Sequence, residues 1–171
     1  EESAGLLLDA HFPSSREESS EIPEGRKCSY LLAQDTSWIT ADRIRTALNQ
    51  FGNNKAPGLD GFKPIILKKL PEASLELLAD LFRISFRLGY VPGIWRISKV
   101  VFIPKQGKED YSGVRSWRPI SLMSFLFKAF ERLILWRLQE SSLQSYSLHP
   151  RQFAFQAGKS TDLALMNVVT H

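Results

Sequence analysis

From Lys99 to Leu122 the helical spacing of apolar residues that governs the chain on either side breaks down. Val100, Val101, Phe102 and Ile103 follow one another directly, β-branched or aromatic, and Pro104 closes the run. The next stretch, QGKEDYSGVRS, is polar and carries two glycines. RPISL is then extended again, because Pro119 biases Arg118 away from helix. Two extended pieces around a polar loop read as an antiparallel hairpin with a long tip, in which Ile103 and Ile120 are expected to pair. Helices, then hairpin, then helices argue for an α+β domain.

The flanking helices are legible from spacing and punctuation. AGLLLDAHF, residues 4–12, is a short apolar helix, and PSSREESSEIPEGRKCS after it reads as a flexible linker. Thr40 is a good N-cap for a helix with Ile44, Ala47, Leu48 and Phe51 on one face, ended by Gly52. NNKAPGLDGF is a turn cluster, with Pro57 and Gly58 suited to the centre of a type II turn, where only glycine takes positive φ cheaply. Residues 74–88 form a helix whose stripe is Leu78, Leu81, Phe82, Ser85 and Leu88, stopped by Gly89. Pro92 and Gly93 turn the chain. Residues 123–139 are amphipathic through Leu122, Phe125, Leu126, Ala129, Leu133 and Trp136, and a loop leads to Gly158 and a last helix from Ser160 or Thr161.

Composition narrows the class. The 171 residues are 43% hydrophobic and 23% charged, which excludes a wholly disordered chain. No apolar run reaches the length of a membrane span and no signal peptide is visible. The chain begins with Glu1 and stops at His171 inside an apolar-periodic segment, so both ends read as cut from something longer. Cys28 is the single cysteine, excluding intramolecular disulfides and thiolate zinc clusters, and His11, His149 and His171 are too scattered to read as ligands. Net charge is +4, unevenly spread: residues 1–42 carry nine acids and three bases, residues 83–138 three acids and eleven bases. Such a basic centre attracts a polyanion or is simply a solvated face, and charge alone leaves both open.

Gly158, Lys159 and Ser160 look like the end of a nucleotide-hydrolase phosphate loop. That loop needs a first glycine where this chain has Phe153, and bulky residues in place of small ones would obstruct the backbone cradle. The simpler reading is that Gly158 frees a turn and Ser160 or Thr161 caps the helix beginning DLALM. Lys159 then lies near a helix N-terminus, where a bound anion would offset its charge.

Four segments in order, KAPGLDGF (55–62), KVVFIPKQGKEDY (99–111), SWRPISLMSFLFKAFERLI (116–134) and QFAFQAGKSTDLAL (152–165), resemble the N-terminal fingers portion of a reverse transcriptase from a non-LTR retrotransposon of the jockey or telomeric-element kind. The acidic leader with LLLDAHFP resembles the segment joining endonuclease to polymerase in those elements. The resemblance implies a leader over residues 1–37 and, over residues 38–171, helical fingers with an antiparallel hairpin and the start of the palm of a polymerase right hand.

In that family a lysine after the first fingertip strand and an arginine on the second bind the phosphates of the incoming deoxynucleoside triphosphate. By motif match these are Lys105 and Arg118, which otherwise read as exposed hairpin charges. The resemblance also sets Lys55 and Gly58 against the template, with Asp60 folding the turn. It places Gln152, Phe153 and Lys159 near template and primer. Phe153 and Phe155 either stack on bases or, the reading kept here, pack as core. Lys128, Glu131 and Arg132 read as the exposed side of a helix, without chemistry.

Phosphoryl transfer in the complete enzyme uses Mg²⁺ held by carboxylates. After Glu140 this chain has Asp162 alone, so no catalytic or metal-binding residue is assigned and the chain is expected to be inactive in primer extension by itself. The implied partners are an RNA template, a DNA primer, the triphosphate and the remaining palm and thumb, with no membrane. The intact element protein would work in a cytoplasmic ribonucleoprotein and in the nucleus. The alternatives are a non-catalytic nucleic-acid-binding remnant or co-opted module and, more remotely, a nucleotide hydrolase.

Overall fold

The computed structural model describes residues 2–13, 35–145, 148–156 and 158–170. The expected linker after Pro13, with Cys28, lies outside the described residues, as does His171. Two compact units divide the chain, Glu1–Leu133 and Ile134–His171.

The first unit opens with α1 (Glu2–His11). Helix α2 (Ala41–Asn49) starts where Thr40, extended at φ −121°, accepts a hydrogen bond at its hydroxyl from the Arg43 amide at 3.3 Å. A short α3 (Pro64–Leu67) leads to α4 (Glu72–Leu88), which Gly89 ends in the left-handed conformation at φ 58°. Then come α5 (Gly93–Arg96), β1 (Lys99–Pro104), a 3-10 turn (Val114–Ser116), β2 (Trp117–Leu122) and α6 (Phe125–Glu140). Helices α3 and α5 are single turns, too short to show a period in the sequence.

The core of this unit is built from helices. Ile44 and Leu48 of α2 are buried, as are Leu75, Leu78 and Phe82 of α4, Trp95 of α5, and Phe125, Phe130 and Leu133 of α6. The Phe82 ring stands 4.9 Å from Phe130 and 5.7 Å from Trp95, centroid to centroid, the spacing of favourable tilted and edge-on aromatic pairs. Arg83 ties α4 to the entry of α2, donating from Nε and Nη2 to the Ile39 carbonyl at 3.0 and 2.7 Å. The stripe expected on α4 proves to be two. Leu78, Phe82 and Ser85 point inward, whereas Leu81 and Leu88 belong to a separate exposed face.

β1 and β2 form the expected antiparallel ribbon, in a register slipped by two residues from the expected one. Val101 faces Ile120, and Ile103 faces Arg118. A two-residue slip keeps every side chain on its face. The ribbon's tip is knitted by its own polar groups: Tyr111 donates its hydroxyl to the Lys105 carbonyl at 2.9 Å, and Trp117 its indole N–H to the Tyr111 carbonyl at 3.0 Å. Helix α1 rests on this ribbon, with the His11 ring 5.7 Å from Phe102 and its Nε2 3.3 Å from the Val114 carbonyl oxygen.

The second unit begins within α6, at Ile134, and continues through α7 (Ser142–Ser145), in a stretch expected as loop, to α8 (Thr161–Val169). Ser160 is the N-cap of α8, its hydroxyl accepting from the Leu163 amide at 3.2 Å. Among the described residues α8 buries none of its side chains.

Candidate nucleic-acid interface

The loop after α2 is held by a glycine for a reason other than the expected one. Gly58 does not take positive φ; Gly61 does, at φ 72°, and its amide donates to the Gly58 carbonyl at 3.2 Å. The turn therefore spans Gly58–Gly61 and is not centred on Pro57 and Gly58. Gly58 is buried against the backbone leading into α6: a Cβ there would stand 2.6 Å from the Ser124 amide nitrogen and 2.8 Å from the Met123 carbonyl carbon. Only glycine permits that approach. Asp60 folds the turn through Oδ1, which accepts from the Phe62 amide at 3.3 Å, while its buried Oδ2 has no hydrogen-bond partner in the structure.

This docking lays Lys55 along one wall of a groove of about 460 Å³. Phe51 and Ala56 line the loop side, and Ile120, Leu122, Phe125 and Lys128 line the ribbon and α6 side. The lysine ammonium of residue 128 sits 4.6 Å from the Phe125 ring centre, and the Arg132 guanidinium 4.8 Å from that of Phe51. Arg132 also donates to Gln50 Oε1 at 2.7 Å. The sequence alone places Lys128 and Arg132 on an exposed helix side without chemistry. They are half-buried, and Lys128 faces the groove. The signal was present in the sequence: Phe125, Lys128 and Arg132 follow helical spacing, so an aromatic and two cations share a face. Partial burial pushes the neighbouring Glu131 carboxyl up, with Lys128 opposing the shift.

The groove continues onto the ribbon. Ile120 and Leu122 alternate with Ser121, so Arg118, two residues before Ile120, shares their face. The Lys105 amide donates to the Ser116 carbonyl at 2.8 Å, extending the ladder by a step and putting Lys105 on the same face, diagonal to Arg118. Such diagonal positions lie roughly 7–8 Å apart. Arg118 is exposed; Lys105 is half-buried, with its ammonium donating to the Arg115 carbonyl at 2.8 Å. Asp110 braces the tip by accepting from the Ser112 hydroxyl at 2.6 Å and amide at 2.8 Å. Those two bonds hold its carboxyl below the ordinary value.

The second unit carries the other three expected contacts. Gln152 and Lys159 are exposed, and the Lys159 ammonium lies 5.0 Å from the centre of the half-buried Phe153 ring. Phe153 lines a pocket of about 290 Å³ with Arg151, Ala164, Asn167 and Val168. Phe155, expected as core, is fully exposed and sits in the left-handed region at φ 59°, where a side chain is disfavoured.

Among the described residues no three His, Cys, Asp or Glu side chains come together. No helix among them is long and apolar enough to cross a membrane.

No family profile matches the chain. Individual proteins do. It is 35% identical over 123 residues, 72% of its length, to a Drosophila melanogaster protein described as a probable RNA-directed DNA polymerase from transposon BS. It is 30% identical over 149 residues, 87% of its length, to the RNA-directed DNA polymerase from mobile element jockey of the same species. Along all 171 residues it is 29% identical to a retrovirus-related Pol polyprotein from the type-1 retrotransposable element R1 of Bradysia coprophila. The matched regions cover 14%, 16% and 17% of these three relatives.

Proposed function

By sequence the chain belongs to the RNA-directed DNA polymerases of non-LTR retrotransposons, and from that premise we propose that it is the phosphate-gripping fingers part of such an enzyme. The single observation that carries this reading is the grouping of cations around one groove and the adjoining ribbon of the first unit. Lys55 and Lys128 flank an apolar, aromatic groove whose ribbon wall leads, on one face, to Arg118 and Lys105. A single strand needs this combination: cations for the backbone and π faces or apolar walls for bases.

The two ends of the surface have different tasks in this proposal. Lys55 and Lys128 hold template phosphates at the groove. Arg118 grips oxygens of the incoming triphosphate through its planar fork, and Lys105 adds a point charge. Lysine has three donors, of which the Arg115 carbonyl takes one, so the same ammonium can also meet phosphate. Gly58 seats the template loop and makes no phosphate contact of its own. Within the second unit, taken by itself, Gln152, Phe153 and Lys159 are further template-binding residues of this proposal. In this proposal Mg²⁺ and the carboxylates that hold it belong to other parts of the complete enzyme.

The test is binding of single-stranded RNA and of primer–template, with and without a triphosphate, by the chain and by its Lys55→Ala/Lys128→Ala and Arg118→Ala variants. The first variant should lose RNA affinity and the second triphosphate affinity. Equal behaviour of all three would overturn the assignment. RNA-templated primer extension with Mg²⁺ should give no incorporation above a no-protein control.

A further inference from the structure

Helix α4 presents an apolar stripe away from its core that the phosphate surface does not use. Leu77, Leu81, Ile84 and Leu88 are 72%, 41%, 55% and 60% exposed. At 100° per residue they fall within a narrow band, and their four–three–four spacing is that of a coiled-coil seam. The inward stripe, Leu75, Leu78, Ala79, Phe82 and Ser85, already satisfies the core, so folding this unit does not require the outer one. An exposed stripe of four large aliphatic side chains marks an interaction surface.

The charges beside the stripe choose the occupant. Along one edge run Asp80 and Arg87, seven residues apart and therefore in one row. When two copies of the helix lie antiparallel about a two-fold axis between Leu81 and Ile84, Leu77 meets the partner's Leu88 and Leu81 meets the partner's Ile84. The same operation brings Asp80 beside the partner's Arg87, twice over. A parallel pair gives no such match, because the other edge of the stripe, Leu78 and Ser85, is turned into the unit's own core. Asp80 Oδ1 already accepts from Arg83 Nη1 at 2.7 Å, and its side chain is still 64% exposed, so the partner's Arg87 would join an existing pair.

We propose that the chain self-associates through α4, as an antiparallel two-fold pair of these helices. The inference is independent of the polymerase reading and stands or falls apart from it.

The experiment is sedimentation equilibrium of the full chain over a range of concentrations, with far-ultraviolet circular dichroism of each variant to confirm folding. The expected result is a reversible monomer–dimer equilibrium. Ile84→Glu buries a charge in the seam and should weaken it by at least about tenfold. Asp80→Arg and Arg87→Asp should each weaken it several-fold, and the double variant should regain most of the wild-type affinity. Val168→Asp on α8 should leave it unchanged. A wild-type chain that stays monomeric, association lost only with Val168→Asp, or failure of the charge swap to rescue would each overturn the proposal.

Discussion

Gly58 packs its Cα onto the backbone of Ser124, so closely that a Cβ would stand 2.6 Å from that residue's amide nitrogen. Neither partner is a side-chain tip that could swing away. Gly58→Ala should therefore cost about 1–3 kcal/mol through overpacking and should displace the Lys55 loop. Gly61→Ala meets no atom within 4 Å but must hold φ 72°, so its expected cost is about 1–2 kcal/mol of backbone strain alone. Urea unfolding of both variants, paired with RNA binding, separates the two effects: only Gly58→Ala should lower affinity beyond its loss of stability.

Arg118 lies opposite Ile103, diagonal to Lys105 on one face of the ribbon. Removing a charge-assisted hydrogen bond of this kind costs about 1.5–3 kcal/mol, or roughly tenfold to a hundredfold in affinity. Arg118→Ala should weaken binding of a fluorescent deoxynucleoside triphosphate by that much. Arg118→Lys should recover only part, since an ammonium lacks the planar fork. Full recovery with lysine would argue against bidentate contact.

Asp110 gives the ribbon tip an acid-sensitive brace. The Ser112 hydroxyl and amide stabilise its charged form and lower its pKa, so the brace is fully present above the ordinary carboxylate range. It is lost as the pH falls below that range through the lowered value. The indole N–H resonance of Trp117, bonded to the Tyr111 carbonyl, should broaden in that window. In Asp110→Asn it should already be broad at neutral pH. A Trp117 signal indifferent to both would show that the tip is held by other contacts.

Glu131 carries the opposite sign. Burial raises its pKa, so ionisation costs stability as the pH rises from the ordinary glutamate value through the raised one. Glu131→Gln should remove that cost and should raise the melting temperature relative to wild type more at pH 7 than at pH 4. A difference independent of pH would place the effect elsewhere.

Much of the fold could be read from local signals. The ribbon announced itself through four consecutive strand formers and Pro119, and Thr40 and Ser160 are caps as their positions suggested. The errors share one cause: each depended on what lies opposite in space. Period alone could not divide α4 into an inward stripe and an outward one, because Leu78 and Leu81 are equally apolar. The ladder register turned on Val101 or Ile103 facing Ile120, and composition favours neither. Gly58 read as a turn residue because its neighbour across the fold, Ser124, is 66 residues away in sequence. Lys128 is a groove wall only because the loop with Lys55 and Ala56, more than 70 residues earlier in the sequence, lines the same groove.

The claim that this groove grips a nucleic-acid backbone is tested most directly by the salt dependence of single-stranded RNA binding, measured by fluorescence anisotropy. The logarithm of affinity should fall linearly with the logarithm of KCl concentration, and losing two phosphate contacts in Lys55→Ala/Lys128→Ala should make the slope shallower by about 1.4. An affinity indifferent to salt, or a slope unchanged in the double variant, would contradict it.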